Sequence, residues 1–450
     1  MIMQEFVNRS EELRKLGEYL KKRSLIIVYG RRRVGKTRLI IEALKGIPHV
    51  YHLCKEEEPR ETLVSLSKKL YRVTGDIKFL EHPPSSFDEL FNLLSASGTV
   101  LVLDEFPVLV KNYPRILGLL QEYWDFGEGG SIILCGSSVS MMKRLTDYGS
   151  PLHGRRTMTI KVKPLEFRHI GGFFPGYSPE ELVRAYGVLD GIPEYLLRFD
   201  PSLSVEENVV REFFGKGYLY EEAELLLRYE LRDLSTYNTI LEAIASGYTS
   251  FNEIRTKTGM DGSKLSRYLS VLGELEIVRK EYPVLPGVSR KRKGARYSLS
   301  DNYFAFYYSF VYPFKEEIEL GLPDVPLENF RKKFNLYLGR VYEKVALQHI
   351  MLINRNGKLP FRFTRIGRWW WKGEEVDLVA LDEKEKKALL VEVKWRKLSP
   401  REVWGIRKDL ERKAALMGLD GWEVHTGIVA REFVERPAPL LWDIHDITGE

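Results

Sequence analysis

Leu25-Ile26-Ile27-Val28-Tyr29-Gly30-Arg31-Arg32-Arg33-Val34-Gly35-Lys36-Thr37 carries the strongest structural signal in this chain. Its β-branched apolar run breaks at Gly30, and Thr37-Arg38-Leu39-Ile40-Ile41-Glu42-Ala43-Leu44 reopens with helix-compatible spacing. Strand, glycine loop and helix in that order fit GxxxxGK(S/T), filled by Gly30, Gly35, Lys36 and Thr37. The glycines permit a tight turn that aims successive backbone N–H groups at phosphate oxygens. The helix start adds its unpaired N–H groups and positive dipole end. On this reading Arg31, Arg32, Arg33, Val34 and Arg38 belong to the phosphate cradle and its flank, Lys36 reaches the β/γ-phosphates, and Thr37 places its hydroxyl on Mg²⁺. The simpler reading, a glycine turn that only joins a strand to a helix, is disfavoured by the flanking elements.

Two further runs share the pattern of strands buried on both faces of a parallel sheet. Val100-Leu101-Val102-Leu103-Asp104-Glu105 is continuously apolar and ends on two acids, which such a strand delivers to the carboxyl edge where ligands of open α/β sheets bind. Asp104 then holds Mg²⁺ through water, and Glu105 polarises the attacking water. Ser131 to Ser138 repeats the pattern, and Ser137 is placed either to sense the γ-phosphate or to cap a helix over Val139 to Leu145; both can hold. Upstream of the P-loop, Ser10 is the expected N-cap of a helix over Glu11 to Leu20, with Arg9 just ahead of it. Downstream, His153-Gly154-Arg155-Arg156 precedes a strand-like Thr157 to Val162. An arginine there stabilises transition-state charge in cis or in trans, or is simply solvated; spacing leaves these open.

A chain of 450 residues has room for roughly two to four domains. Its 44% hydrophobic and 29% charged residues describe an ordinary globular protein. The start, Met1-Ile2-Met3-Gln4-Glu5, lacks the basic and apolar regions of a signal peptide, and no apolar run reaches bilayer-spanning length. The only cysteines, Cys54 and Cys135, lie in apolar contexts, which predicts a cytoplasmic protein without disulfides or zinc. A net charge of +6 permits nucleic-acid binding without arguing for it.

Phe6-Val7-Asn8-Arg9…Glu12-Leu13, the arginine-rich P-loop, Leu103-Asp104-Glu105-Phe106, Gly136-Ser137-Ser138 and Gly154-Arg155 together resemble the archaeal ATPase family of AAA+/STAND P-loop NTPases. Asp190-Gly191-Ile192-Pro193 is similar to the GxP module of that family's helical lid, with Asp190 where a second glycine is usual. The resemblance implies ATP with Mg²⁺ as cofactors, Pro193 packed on the adenine, Arg9 framing the base, and Arg155 at the ATP site, in cis or, in a homo-oligomer, in trans.

Residues 178–234 read as helices. The next segment has the order of a winged helix: helices over Tyr237 to Ala245, from Ser250, and over Ser263 to Leu275, then strands around Ile277 to Tyr282 and Arg296 to Leu299. On DNA, Lys264, Arg267 and Tyr268 would face the major groove, and Arg290, Lys291 and Arg292 at the hairpin tip would meet the backbone. The alternative is a winged helix used only for packing, with a solvated basic loop. The aromatic run Tyr303 to Pro313 reads as core, and Pro323 and Pro326 mark a linker.

Val376 to Leu381 and Ala388 to Lys394 are two strands around a charged turn. Folding that turn between Lys384 and Glu385 sets Asp377 opposite Glu392, and period two puts Lys394 on the face of Glu392. Two carboxylates and a lysine then converge at one end of an apolar hairpin, where hard oxygen ligands favour Mg²⁺ or Mn²⁺. Cross-strand charge pairing is the plainer account of the same residues. The arrangement resembles the D-x(n)-ExK motif of PD-(D/E)XK nucleases, with Glu343 at the position of their helix-borne acid and no proline in the first motif. That resemblance implies metal-dependent cleavage of DNA, with Lys394 orienting or deprotonating water; the alternative is a catalytically silent interaction module in an ATP-driven switch.

The expected fold class is therefore multidomain α/β. The predicted parts are a P-loop ATPase core over 1–165, a helical lid over 166–234 and a winged helix over 235–312. A linker over 313–330 and a restriction-endonuclease-like α/β domain over 331–450 follow.

Overall fold

The computed structural model describes residues 6–127, 129–231, 233–285 and 294–449. It divides into two compact units, Met1–Pro164 with Ile192–Glu194, and Leu165–Gly191 with Tyr195–Glu450.

In the first unit, strands β1 (Leu25–Tyr29), β2 (His49–Leu53), β3 (Val100–Asp104), β4 (Ile132–Gly136) and β5 (Met158–Lys161) form one sheet in the order β2-β3-β4-β1-β5. Every pairing is parallel, so all five carboxyl ends share one edge. Ile27, Leu103 and Leu134 pack to one face of the sheet, and Ile26, Val28, Val102 and Ile133 to the other. Burial on both faces is why β1, β3 and β4 are unbroken apolar runs rather than alternating ones. Because β4 lies between β1 and β3, its tip stands between the glycine loop and the acidic pair. The helix after β1, Lys36–Ala43, starts where Gly35 turns through φ 90°. The helix before β1 begins at Ser10 itself, with Arg9 left-handed at φ 71° in the cap position and no side-chain cap, so Ser10 is not the N-cap expected.

In the second unit, helices Leu234–Ala245, Phe251–Thr258 and Gly262–Glu274 lead into an antiparallel pair, β6 (Val278–Glu281) with β7 (Arg296–Leu299). Ser250 and Asp261 cap the second and third of these helices through backbone N–H groups. The linker expected over 313–330 is instead helical: Lys315–Glu319, then the long helix Asp324–Arg355. Pro323 stands at its cap and Pro326 in its first turn, where a missing N–H breaks no intrahelical bond. Phe330 and Phe334 of that helix are buried against Phe306 and Phe310. Tyr337 donates to the carbonyl of Gly187 at 2.7 Å, and Asn302 to that of Tyr186 at 2.9 Å. This shared core joins the segments expected as lid, winged helix and C-terminal domain into one compact unit.

Five more strands, β8 (Arg365–Trp371), β9 (Glu374–Asp382), β10 (Lys387–Leu398), β11 (Glu423–Phe433) and β12 (Leu441–Trp442), form a mixed sheet in the order β12-β11-β10-β9-β8. β8, β9 and β10 run antiparallel; β10, β11 and β12 run parallel. Helix Pro400–Leu416 makes the crossover that the parallel β10–β11 pair requires. β9 and β10 pair with Ala380 opposite Leu389 and Leu378 opposite Val391, the register of a turn centred between Lys384 and Glu385.

Candidate nucleotide site and a second carboxylate site

At the carboxyl edge of the first sheet the Lys36 ammonium donates to the carbonyls of Gly30 at 2.9 Å and Arg31 at 3.0 Å. Burial draws its pKa below the usual lysine range, against the opposing pull of Cys135, Glu105 and Asp104. A Cβ on Gly30 would sit 2.2 Å from the carbonyl oxygen of Val162, so only glycine fits where the loop leaves β1. Arg9, 6% exposed, donates to Val34 O at 3.0 Å and to Lys163 O at 2.6 Å. It thus ties the loop backbone to the segment after β5. Val34 is buried, Arg31 and Arg32 are half-buried, and Arg33 and Arg38 are exposed. Pro193 lies beside the loop, its Cγ 3.8 Å from where a Gly35 Cβ would be.

Thr37 Oγ1 donates to Asp104 Oδ2 at 2.8 Å, and the Tyr51 phenol donates to the same oxygen. Burial alone would raise the Asp104 pKa. Hydrogen bonds from the Cys135 thiol, Tyr51, Thr37 and the Glu105 N–H outweigh it and hold the carboxylate below its ordinary range. Glu105 follows at φ 51°, and both its oxygens accept from Ser137 Oγ, at 2.7 and 2.8 Å. Sequence reasoning missed Tyr51 and Cys135. The one available signal was strand parity, since β2 and β4 flank β3 and Tyr51 and Cys135 belong to the same face of the sheet.

Arg155 stands elsewhere. Thr157 donates to Leu25 O, at the amino end of β1, so Arg155 lies at the sheet edge opposite the glycine loop. There it makes a bidentate pair with Asp125, 2.8 Å to each oxygen. A cis role at this chain's own phosphate site is thereby ruled out by the direction of β5.

The second site lies where β9, β10 and the long helix meet. One step beyond the paired Leu378 and Val391, Asp377 comes opposite Glu392. Asp377 Oδ2 accepts from Val393 N at 2.8 Å, and Lys394 Nζ donates to Glu392 Oε1 at 2.6 Å. Glu392 Oε2 is buried and has no hydrogen-bond partner. Asp377, 8% exposed, is pushed above the usual carboxylate range by burial and by the charge of Glu392, against the Val393 N–H, Lys394 and Arg368. Glu343 of the long helix pairs with Arg368 of β8 at 3.2 Å, and burial, reinforced by Asp377, raises it despite that pairing. Arg368 was not foreseen; β8 carried no motif. Among the described residues no group of three or more His, Cys, Asp or Glu side chains is gathered for a metal.

Residues 6–199 match the family described as "ATPase domain predominantly from Archaea". Residues 307–406 match one described as "Archaea bacterial proteins of unknown function". Over 455 aligned residues the chain is 39% identical to the uncharacterized protein MJECL04 of Methanocaldococcus jannaschii, covering 98% of this chain and 100% of that one. This chain belongs to the archaeal P-loop ATPases. The solved Walker-type ATPase PABY2304 of Pyrococcus abyssi is similar to it, with 26% identity and a TM-score of 0.54 over 68% of this chain and 97% of that one. In this ATPase the first match contains every residue assigned above to the nucleotide site, and the second contains Glu343, Asp377, Glu392 and Lys394.

The residues expected at DNA fall differently. Lys264 and Arg267 of the ATPase are exposed on helix Gly262–Glu274. Tyr268 is not: it is 7% exposed, packs on Tyr237 at 4.6 Å between centroids, and donates to Asp233 at 2.7 Å. A ring so committed does not reach a groove, which corrects the expectation for Tyr268. Arg290, Lys291 and Arg292 lie outside the described residues. No helix among the described residues is long and apolar enough to cross a membrane.

Proposed function

We propose that this archaeal ATPase couples an AAA+/STAND-type cycle of ATP hydrolysis to metal-dependent cleavage of DNA. On this reading 166–234 is the lid, 235–312 a DNA-gripping winged helix, and the sheet from β8 to β12 a PD-(D/E)XK nuclease fold. The observation that carries it is Glu392: a buried carboxylate oxygen without a hydrogen-bond partner, beside Asp377 and held by Lys394. Other buried polar atoms here also lack a partner, Glu212 Oε2 among them, but Glu392 Oε2 belongs to a pair of facing carboxylates, and such a pair fits a hard cation, Mg²⁺ or Mn²⁺.

At the first site, Lys36 leaves its loop carbonyls for the β/γ-phosphates, and Thr37 and Asp104 would hold Mg²⁺. Glu105 turns one oxygen from Ser137 to a water and takes its proton as the water oxygen bonds the γ-phosphorus, the bond to the bridging oxygen breaks and ADP leaves. At the second site, Asp377 and Glu392 would hold a cation that lowers the pKa of bound water and neutralises charge at phosphorus. Lys394 would orient the attacking water; as the water oxygen bonds phosphorus, one phosphodiester P–O bond breaks and the proton passes to solvent.

A second reading has its own support. The Glu343–Arg368 pair, which ties β8 to the long helix, and the Glu392–Lys394 pair within β10 are also what a catalytically silent module would keep for its fold. Cleavage of plasmid and single-stranded DNA in Mg²⁺ or Mn²⁺ separates the two. Wild type is expected to cut, and Asp377→Ala and Lys394→Ala to cut at least about a hundredfold more slowly while still hydrolysing ATP. Equal inertness of all three would leave the silent module.

A further inference from the structure

Asp377 faces a cavity that none of the motifs describes. Its volume is about 540 Å³, and it lies wholly within the second unit. Arg340 and Glu343 of the long helix form one wall, Arg296 of β7 a second, and Arg368, Trp370 and Asp377 of β8 and β9 a third. Two of the arginines are spent on these walls: Arg296 pairs with Glu375 at 3.0 Å and Arg368 with Glu343 at 3.2 Å. Arg340 makes no hydrogen bond or ion pair among the described residues; its guanidinium lies 3.5 Å from where a Gly247 Cβ would be. The Arg296 guanidinium lies 4.8 Å from the centroid of the Trp370 ring, whose Nε1 donates to Gly294 O at 3.0 Å.

An arginine stacked on an indole is the kind of planar surface on which an unpaired base stacks, and a guanidinium that feels Glu343 only at a distance, with no hydrogen bond or ion pair, is open to a phosphate. Size settles which form of nucleic acid fits. A volume of about 540 Å³ is in the range of sites that hold a single small ligand. The major groove of duplex DNA alone is ~12 Å wide, so a base-paired segment does not enter, whereas one nucleotide of a single strand does. We propose that this cavity seats one unpaired nucleotide, its phosphate on Arg340 and its base against the Arg296–Trp370 pair. The strand presented to Asp377 is then single-stranded, an end or an opened segment rather than intact duplex. The inference rests on the nuclease reading only for what happens after the strand is seated.

The full-length Asp377→Ala chain, which holds off cutting, is titrated by fluorescence anisotropy with a labelled single strand, a blunt duplex of the same sequence, and a duplex bearing an unpaired tail. The single strand and the tailed duplex are expected to bind roughly tenfold or more tighter than the blunt duplex. Adding Arg340→Ala should weaken single-strand binding roughly tenfold and lower the salt slope by about 1, and Arg340→Lys should restore the slope. Equal affinity for blunt duplex, or no effect of Arg340→Ala with an unchanged melting temperature, overturns the proposal. Tight Arg340-dependent binding in a chain whose wild type cuts nothing would sink the nuclease reading and keep the cavity. Cutting of blunt duplex alone would do the reverse.

Discussion

Replacing Asp190 with alanine is expected to destabilise the second unit by about 3 kcal/mol. The Asp190 side chain is 1% exposed, accepts from Gly191 N at 2.7 Å and Asn302 N at 2.8 Å, and pairs with Lys344. Each buried N–H left without an acceptor costs about 1–3 kcal/mol. Breaking a fully buried ion pair costs about 3–5 kcal/mol, but the Lys344 side chain keeps 28% exposure and recovers hydration, so the two N–H groups, at about 1.5 kcal/mol each, set the figure. Asp190→Asn, which keeps an acceptor oxygen, should therefore lose about half as much. Trp124 is the one tryptophan of 8 outside the second unit, so fluorescence during urea unfolding reports chiefly on that unit. With a slope near 3 kcal/mol per M, the alanine variant should unfold about 1 M earlier. Despite burial, Lys344 and the two N–H donors hold the Asp190 pKa below its ordinary value. Its contribution is thus fully present above the unfolded value of about 4 and is lost as pH falls through the lower folded value. The gap between wild type and Asp190→Asn should stay constant from neutrality down to about pH 4 and close below it. An alanine variant within about 0.3 M of wild type would refute the reasoning.

Gly30→Ala places a methyl 2.2 Å from Val162 O and is expected to cut ATP turnover about tenfold or more, measured as phosphate release; near-wild-type turnover would mean the loop does not need that close approach. Arg155→Ala should leave turnover per chain within about twofold at dilutions where the protein is monomeric, because Arg155 sits with Asp125 at the opposite sheet edge. A large loss under those conditions would contradict that placement, and a loss seen only in an oligomer would mark it as an arginine supplied in trans.

Much of the nucleotide site was legible because its signals are local. A strand buried on both faces writes itself as an unbroken apolar run, and the residues that follow β1, β3 and β4 are delivered to one edge by parallel pairing alone. The hairpin of Asp377 and Glu392 was legible for the same reason, since period two and a short turn fix register. What escaped depended on long-range packing. Nothing beside Arg155 in sequence says that β5 enters the sheet from the far edge. Pro323 and Pro326 read as linker punctuation until the long helix uses them in its first turn to bury Phe330 and Phe334. Tyr268 shares a helix face with exposed basic neighbours by spacing, yet Tyr237 and Asp233 draw it inward. Arg368 and Tyr51 carry no motif and gain meaning only from what faces them across a strand or helix.

The proposed function needs two separate divalent-cation sites in this ATPase, one to split ATP and one to cut DNA. Anomalous scattering from crystals grown with Mn²⁺ and a non-hydrolysable ATP analogue tests it most directly. The account expects one manganese at Thr37 and Asp104 beside the phosphates, and a second within roughly 2.0–2.3 Å of carboxylate oxygens of Asp377 and Glu392, with Lys394 released from Glu392. A manganese at the first site and none at the second, with Lys394 still bonded to Glu392, would contradict it.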